Sequence, residues 1–289
     1  MPMRCRFLQI DVFADGPGAG NPLAVVFDGA ELGTAQMQSI AAWTQLAETT
    51  FVLPPSVPDA DYRVRIFTTQ KEIAFAGHPS LGTARAVLAN GFATARNGLL
   101  RQECLAGVLP VRVEGESGTD ALSVRVPRSR ILRYAGAGDA DLWRALAGAD
   151  SGATRPVLVE GGRRWWLAEL RDETQVRRFR PDIDAIRTLA RSTDSLGLCI
   201  FARCSAGLVV RAFPLGVGIV EDPASGAANA AIAAFLDEAA ALGELGSHYR
   251  VSQGREIGHD ATLELCFDET RDVWVGGRTQ VVIRGTLDW

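Results

Sequence analysis

The stretch "VRIFTTQKEIAFAGHPSLGTARAVL", Val64 to Leu88, decides how the chain is read, because its plan returns at "VVRAFPLGVGIVEDPASGAANAAIAAFL", Val209 to Leu236. Each copy opens with a V-R-x-F strand and passes through a short apolar link. Each then turns on Gly and Pro and ends in an alanine-rich helix. The copies align once about two residues are inserted into the second, and a repeat of this length means duplication of a supersecondary unit. The expected fold class is therefore α+β, built as two similar halves facing each other.

Working outward, "RFLQIDVFA" and "NPLAVVFDG" are rich in β-branched and aromatic residues and flank the turn "DGPGAG", which reads as a hairpin. Gly16, Gly18 and Gly20 imitate a dinucleotide fingerprint, but a strand follows them where that motif needs a helix. Thr34 is expected to cap a helix over "AQMQSIAAWTQLA", with Met37, Ile40, Ala41 and Leu46 on its apolar stripe. "YRVRIFT" alternates as a half-buried strand, "SLGTARAVLAN" reads as a short helix closed by Gly91, and Asp139 is placed to cap "DADLWRALAG".

Composition removes whole classes of chemistry. Net charge is -4, which argues against a nucleic-acid partner, and no apolar run approaches the roughly 18 residues a membrane span requires. No signal-peptide core is evident, so a cytoplasmic location is expected. Lys71 is the single lysine and lies among polar neighbours in "TTQKEIAF", a poor setting for a Schiff base. The five cysteines, Cys5, Cys104, Cys199, Cys204 and Cys266, form no CxxC pair and read as buried free thiols. No Walker loop, H-E-x-x-H, nucleophile elbow or EF-hand loop occurs, so neither a metal nor a cofactor is expected.

The chemistry-bearing residues gather where the repeats turn. Gly77-His78-Pro79 and Asp222 through Gly226 each deliver a helix N-terminus, with Pro79 suited to the first helical position and Ser225 to the cap. Free N–H groups and the positive dipole end make such termini sites for a carboxylate. If the halves face each other, both termini open on one cleft, with His78 at its mouth. Glu48 stands at the join of a helix C-terminus and the strand "TTFVL". The negative dipole end and apolar Leu46, Ala47 and Phe51 would there disfavour the charged carboxylate, as proton transfer at carbon requires.

The motifs "DVFADGPGAGNPLAVVFDG", "LAETTFVLP", "IFTTQKEIAFAGHPSLGTA" and "EDPASGAANAAIAAFL", with the late "SQGREIG" and "VWVGG", resemble the PhzF-like phenazine-biosynthesis family, in order and across nearly the whole chain. The resemblance implies a diaminopimelate epimerase-like fold, in which each of two pseudo-symmetric halves wraps a sheet around a central helix. It also implies a cofactor-free homodimer, similar to the isomerase of trans-2,3-dihydro-3-hydroxyanthranilate. By motif, Glu48 takes the place of the family's acid/base, while His78 and Asp222 line the substrate cleft. Gly77, Ser225, Gly226, Ala227 and Asn21 complete the expected substrate-binding set. Residues 1–118 with 277–289 are expected to form the first half and 119–276 the second.

Two departures bear on substrate: Ala227 replaces the family's usual serine, and "GHDA", Gly258 to Ala261, replaces the usual "GRPS". Relatives of this fold that racemise with two thiols place a cysteine at each helix turn. No cysteine falls there in this chain, which favours a one-carboxylate isomerase. An epimerase of a related small acid, or a binding protein that has lost turnover, are the alternatives.

Overall fold

The computed structural model describes residues 3–115 and 121–289, so the half boundary expected between 118 and 119 lies outside the described residues. By compactness the chain divides into two units, Met1–Arg125 with Gly276–Trp289, and Val126–Val275.

The first unit carries β1 (Arg4–Val12), β2 (Asn21–Val26), β3 (Glu48–Leu53), β4 (Tyr62–Thr68), a short β5 (Glu72–Ile73), β6 (Leu99–Cys104), β7 (Gly107–Val113) and β8 (Leu122–Arg125). The strand Thr279–Asp288 returns to pair antiparallel with β1, whose other side pairs antiparallel with β2. From there β2 runs parallel to β3, β3 antiparallel to β4, and β4 parallel to β6, before the antiparallel run β6, β7, β8. Two helices cover this sheet, α1 (Thr34–Thr44) and α2 (Gly77–Ala89).

Alternation along β3 separates their territories. Phe51 and Leu53 pack with Met37, Ile40 and Ala41 of α1, whereas the Thr83 hydroxyl of α2 reaches the Thr50 hydroxyl at 2.8 Å. Because successive strand side chains point to opposite faces, Glu48 shares the α2 face with Thr50. Helix α2 touches β1, β2, β3, β6, β7, β8 and the C-terminal strand, which makes it the rod the sheet wraps. Its small residues allow that approach: a Cβ on Gly82 would lie 2.5 Å from Leu23.

The second unit repeats the order. Its strands are β9 (Arg130–Tyr134), β10 (Val157–Glu160), β11 (Arg164–Glu169), β12 (Leu198–Cys204), β13 (Gly207–Phe213), β14 (His248–Gln253) and β15 (Ala261–Phe267). The senses are again antiparallel for β9–β10 and β10–β11, parallel for β11–β12, antiparallel for β12–β13, parallel for β13–β14 and antiparallel for β14–β15. Helices α3 (Ala140–Ala145), α4 (Glu173–Arg178) and α5 (Ile183–Ser192) lie outside, with Leu142, Val176, Ile186 and Leu189 in one apolar cluster with Leu198, Ile200 and Phe213. Helix α6 (Gly226–Glu238) holds the central place against β9, β10, β11 and β15. The fold is thus the α+β, diaminopimelate epimerase-like architecture, with a duplicated plan.

Several local expectations shift. Gly33, not Thr34, caps α1; the Thr34 hydroxyl instead accepts from Arg65 at 2.9 Å. Helix α2 starts at Gly77 rather than Ser80, which puts Pro79 third in the helix. Proline is tolerated there because N–H groups of the first turn have no partner within the helix. Gly91 does close α2, with φ at +61°. Asp139 precedes α3, but its carboxylate accepts from Gly136 N and Arg133 instead of the helix. All five cysteines are free, and Cys104, Cys204 and Cys266 are only partly buried. No described helix is long and apolar enough to cross a membrane.

Candidate active site

The first unit brings Glu48 and His78 together. Helix α1 ends on Gln45, which takes a left-handed conformation at φ +56° and turns the chain into β3. Glu48 opens that strand on the α2 face. His78 is the second residue of α2, and its Nδ1 lies 3.2 Å from Glu48 Oε2. The His78 side chain is 6% exposed and that of Glu48 19%. Thr50 and Thr83, farther along the same strand and helix, keep the two elements in register. Among the described residues His78 Nε2 is buried with no hydrogen-bond partner. Gly77 precedes it in the chain, while Asn21 is buried at the start of β2, opposite Val12.

A clamp holds the turn that leads into α2. Arg65 of β4 forms a bidentate pair with Glu72 at 2.7 and 2.8 Å and stacks over Phe67 at 5.1 Å. The buried Gln102 of β6 donates to Ser80 at 2.9 Å, tying the first turn of α2 to the sheet.

The second unit brings Asp222, Ser225, Gly226 and Ala227 together around the start of α6. Arg211 of β13 pairs bidentately with Glu221, at 2.8 Å through both nitrogens, and stacks over Phe213 at 5.1 Å. Asp222 bonds back to the strand through its N–H and Ala212 O, and its carboxylate accepts from Ala224 N at 3.2 Å. Ser225 is the side-chain cap, accepting from Ala228 N, and Ala227 stands exposed one residue into the helix. Gln253, fully buried on β14, binds this turn on several sides. Its amide nitrogen donates to Asp222 O at 2.8 Å, while its oxygen accepts from Ser225 N and from Asn229.

Neither glutamine, nor the clamp pairs Arg65–Glu72 and Arg211–Glu221, stands among the expected site residues. The signal for the clamps was present, since each copy carries an arginine on its V-R-x-F strand and a glutamate ahead of its helix. The glutamines carry none, because their role arises from the parallel pairings β4–β6 and β13–β14. The thiol closest in register is Cys199, opposite Ala212, and burial first and the Asp222 charge second push it well above its ordinary value. It stays a protonated thiol, not a base. Among the described residues no group of three or more His, Cys, Asp or Glu side chains could hold a metal ion.

The architecture defines a protein of the diaminopimelate epimerase-like class. Within it, the chain belongs to the PhzC-PhzF family of phenazine biosynthesis-like proteins, matched over residues 10–285. It is 33% identical to antisense-enhancing sequence 1 of Schizosaccharomyces pombe, over 96% of this chain and 97% of that protein. Identity is also 33% to the trans-2,3-dihydro-3-hydroxyanthranilate isomerase of Pseudomonas chlororaphis, over 98% and 99% of the two chains. The crystal structure of the Bacillus anthracis PhzF-family phenazine biosynthesis protein shares its fold at a TM-score of 0.83 and 22% identity, covering 99% of each chain.

Proposed function

We propose that this protein is a cofactor-independent isomerase that moves a proton on a small, cyclic or unsaturated amino or hydroxy acid, with Glu48 as the acid/base. The observation that carries the reading is the 3.2 Å approach of Glu48 Oε2 to His78 Nδ1 at the start of α2. Full-length similarity to a protein named an isomerase supports the reaction class.

In the proposed step the Glu48 carboxylate takes a proton from a substrate carbon. The electron pair of that C–H bond passes into the conjugated system, and the carboxylic acid returns the proton to another carbon on the same face. Both transfers use one residue, so the acid and base need no separate side chains. His78 contacts the carboxylate through Nδ1, which leaves Nε2 to bond a polar group of the substrate. Gly77 and His78 are the first two residues of α2, whose N–H groups have no partner within the helix and suit a substrate carboxylate. Asp222, Ser225, Gly226, Ala227 and Asn21 are proposed to bind substrate, on the family likeness. Ala227 supplies no hydroxyl, so the group it meets is expected to be less polar than one met by a serine.

The test is deuterium wash-in. Unsaturated amino and hydroxy acids, trans-2,3-dihydro-3-hydroxyanthranilate included, are incubated with the protein in D2O and read by mass spectrometry. A substrate should gain carbon-bound deuterium, and Glu48→Gln should slow that exchange by about 10²–10⁴-fold while binding persists. Undiminished exchange in Glu48→Gln would overturn the assignment.

A further inference from the structure

The second unit holds a concave surface that the proton chemistry does not use. A groove of about 550 Å³ is lined by Arg171, Asp172, Thr174, Arg178, Phe179 and Arg180, among others. A second hollow, of about 570 Å³, shares Arg178, Phe179 and Arg180 and adds Arg177, Arg211 and Glu256. Either volume falls in the range of roughly 300–1,000 Å³ typical of small-molecule sites.

The charges in this surface do not balance. Arg171 pairs with Asp150 and Asp172, Arg177 with Glu173 and Glu256, and Arg211 with Glu221. The exposed side chains of Arg178 and Arg180 have no ion pair, hydrogen bond or ring contact among the described residues. They stand on either side of Phe179, the residue that caps α4. Phe179 is itself fixed: its ring lies 5.9 Å from Phe213, and its carbonyl accepts from Arg211 at 2.6 Å. Two uncompensated guanidinium groups therefore flank an anchored backbone position at the edge of a hollow, in a chain whose net charge is -4.

We propose that this groove binds a small organic dianion, with Arg178 and Arg180 as its two charge partners and the Thr174 hydroxyl as a further donor. The forked guanidinium matches the paired oxygens of a phosphate or carboxylate, and two such forks match two negative charges. A polyanion such as nucleic acid is disfavoured by the overall negative charge. Phosphate monoesters and dicarboxylates share the chemistry named, so the experiment separates them.

The intact protein is titrated calorimetrically with phenyl phosphate, with phthalate and with neutral benzyl alcohol, at matched ionic strength. Saturable binding of a dianion but not of the alcohol is expected, and it should weaken as salt is raised. Binding of phenyl phosphate alone assigns the site to phosphate esters, and binding of phthalate alone assigns it to dicarboxylates. Arg178→Ala and Arg180→Ala should each weaken the affinity by about tenfold, as loss of a charge-assisted bond does, with the circular dichroism spectrum unchanged. Exchange dependent on Glu48 reports separately on the proton chemistry and should survive both substitutions. Absence of saturable dianion binding, or equal affinity in both variants, would overturn the proposal.

Discussion

At the start of α2 the second helical residue is His78, and β3 begins on Glu48; at the start of α6 the second helical residue is Ala227, and the position matching Glu48 is Gly197. The match follows from register, since Thr49 pairs with Phe67 as Leu198 pairs with Phe213, and Glu48 and Gly197 each stand one residue earlier. Gly197 has φ +144°, and a Cβ there would lie 2.1 Å from Phe213 O, so the second unit cannot carry a side chain at that place. Much of what shapes the turn recurs in both units: the arginine–glutamate clamp, the stacked phenylalanine, a buried glutamine and the thirteen-residue helix. Duplication has preserved the mould while the acid and the imidazole remain in one copy. A two-base mechanism with matched groups in both units has no counterpart for Glu48 to work with.

The two units should differ most at their clamps. The Arg211 and Glu221 side chains are each 6% exposed, whereas Arg65 and Glu72 are 23% and 19% exposed. Glu221→Gln leaves a buried guanidinium without its countercharge and should cost about 3–5 kcal/mol in urea unfolding. Glu72→Gln should cost clearly less, and equal losses would show that burial does not set the difference. His78→Ala comes next. It should weaken affinity for the substrate found by deuterium exchange by about tenfold to a hundredfold, with little change in melting temperature. A lowered melting temperature with unchanged affinity would make His78 a structural residue.

Smaller still is the cap, for the Ser225 side chain accepts from Ala228 N while α2 is capped by Ala76, which makes no side-chain cap hydrogen bond. Ser225→Ala should therefore cost about 1 kcal/mol, a contribution the first unit lacks. The smallest effect concerns two forks with exposed arginines, Arg6–Asp28 and Arg133–Asp139, one in each unit. Hydrogen bonds from the arginine hold both carboxyls below the usual aspartate value. Between the lowered and ordinary values the unfolded chain binds more protons than the folded one. Each fork's stability is thus present above the ordinary value and fades as pH falls through the lowered one. Asp28→Asn and Asp139→Asn should flatten the acid limb of a stability–pH curve slightly and alike.

The repeat was legible because it is written in local pattern: V-R-x-F strands, turn glycines and alanine-rich helices. The hairpin before it was legible for the same reason, and no helix follows Gly20. Glu48 could be placed at a helix-to-strand join from the change in residue type alone. Its contact with His78 could not, because the intervening residues 49–77 must first fold so that β3 lies along α2. The start of α2 was misread through Pro79, which fits the third helical position as well as the first. Gln102 and Gln253 left no trace in sequence because a polar residue within or at the end of a short strand is ordinarily solvated, and it is the parallel pairings that cover these two.

The strand Thr279–Asp288 has a consequence for the order of assembly. It completes the sheet beside β1, and Met3 exchanges backbone hydrogen bonds with Trp289 at 2.8 and 2.9 Å. The second unit is continuous in sequence, so all its strands leave the ribosome before the first unit has its last one. Synthesis is therefore out of step with closure: the unit whose chain emerges first must wait with the outer edge of β1 unpaired. A pairing of such high contact order is entropically cheap per added residue but slow to find. Until it forms, β1 is the edge along which an unfinished chain can pair with the wrong partner.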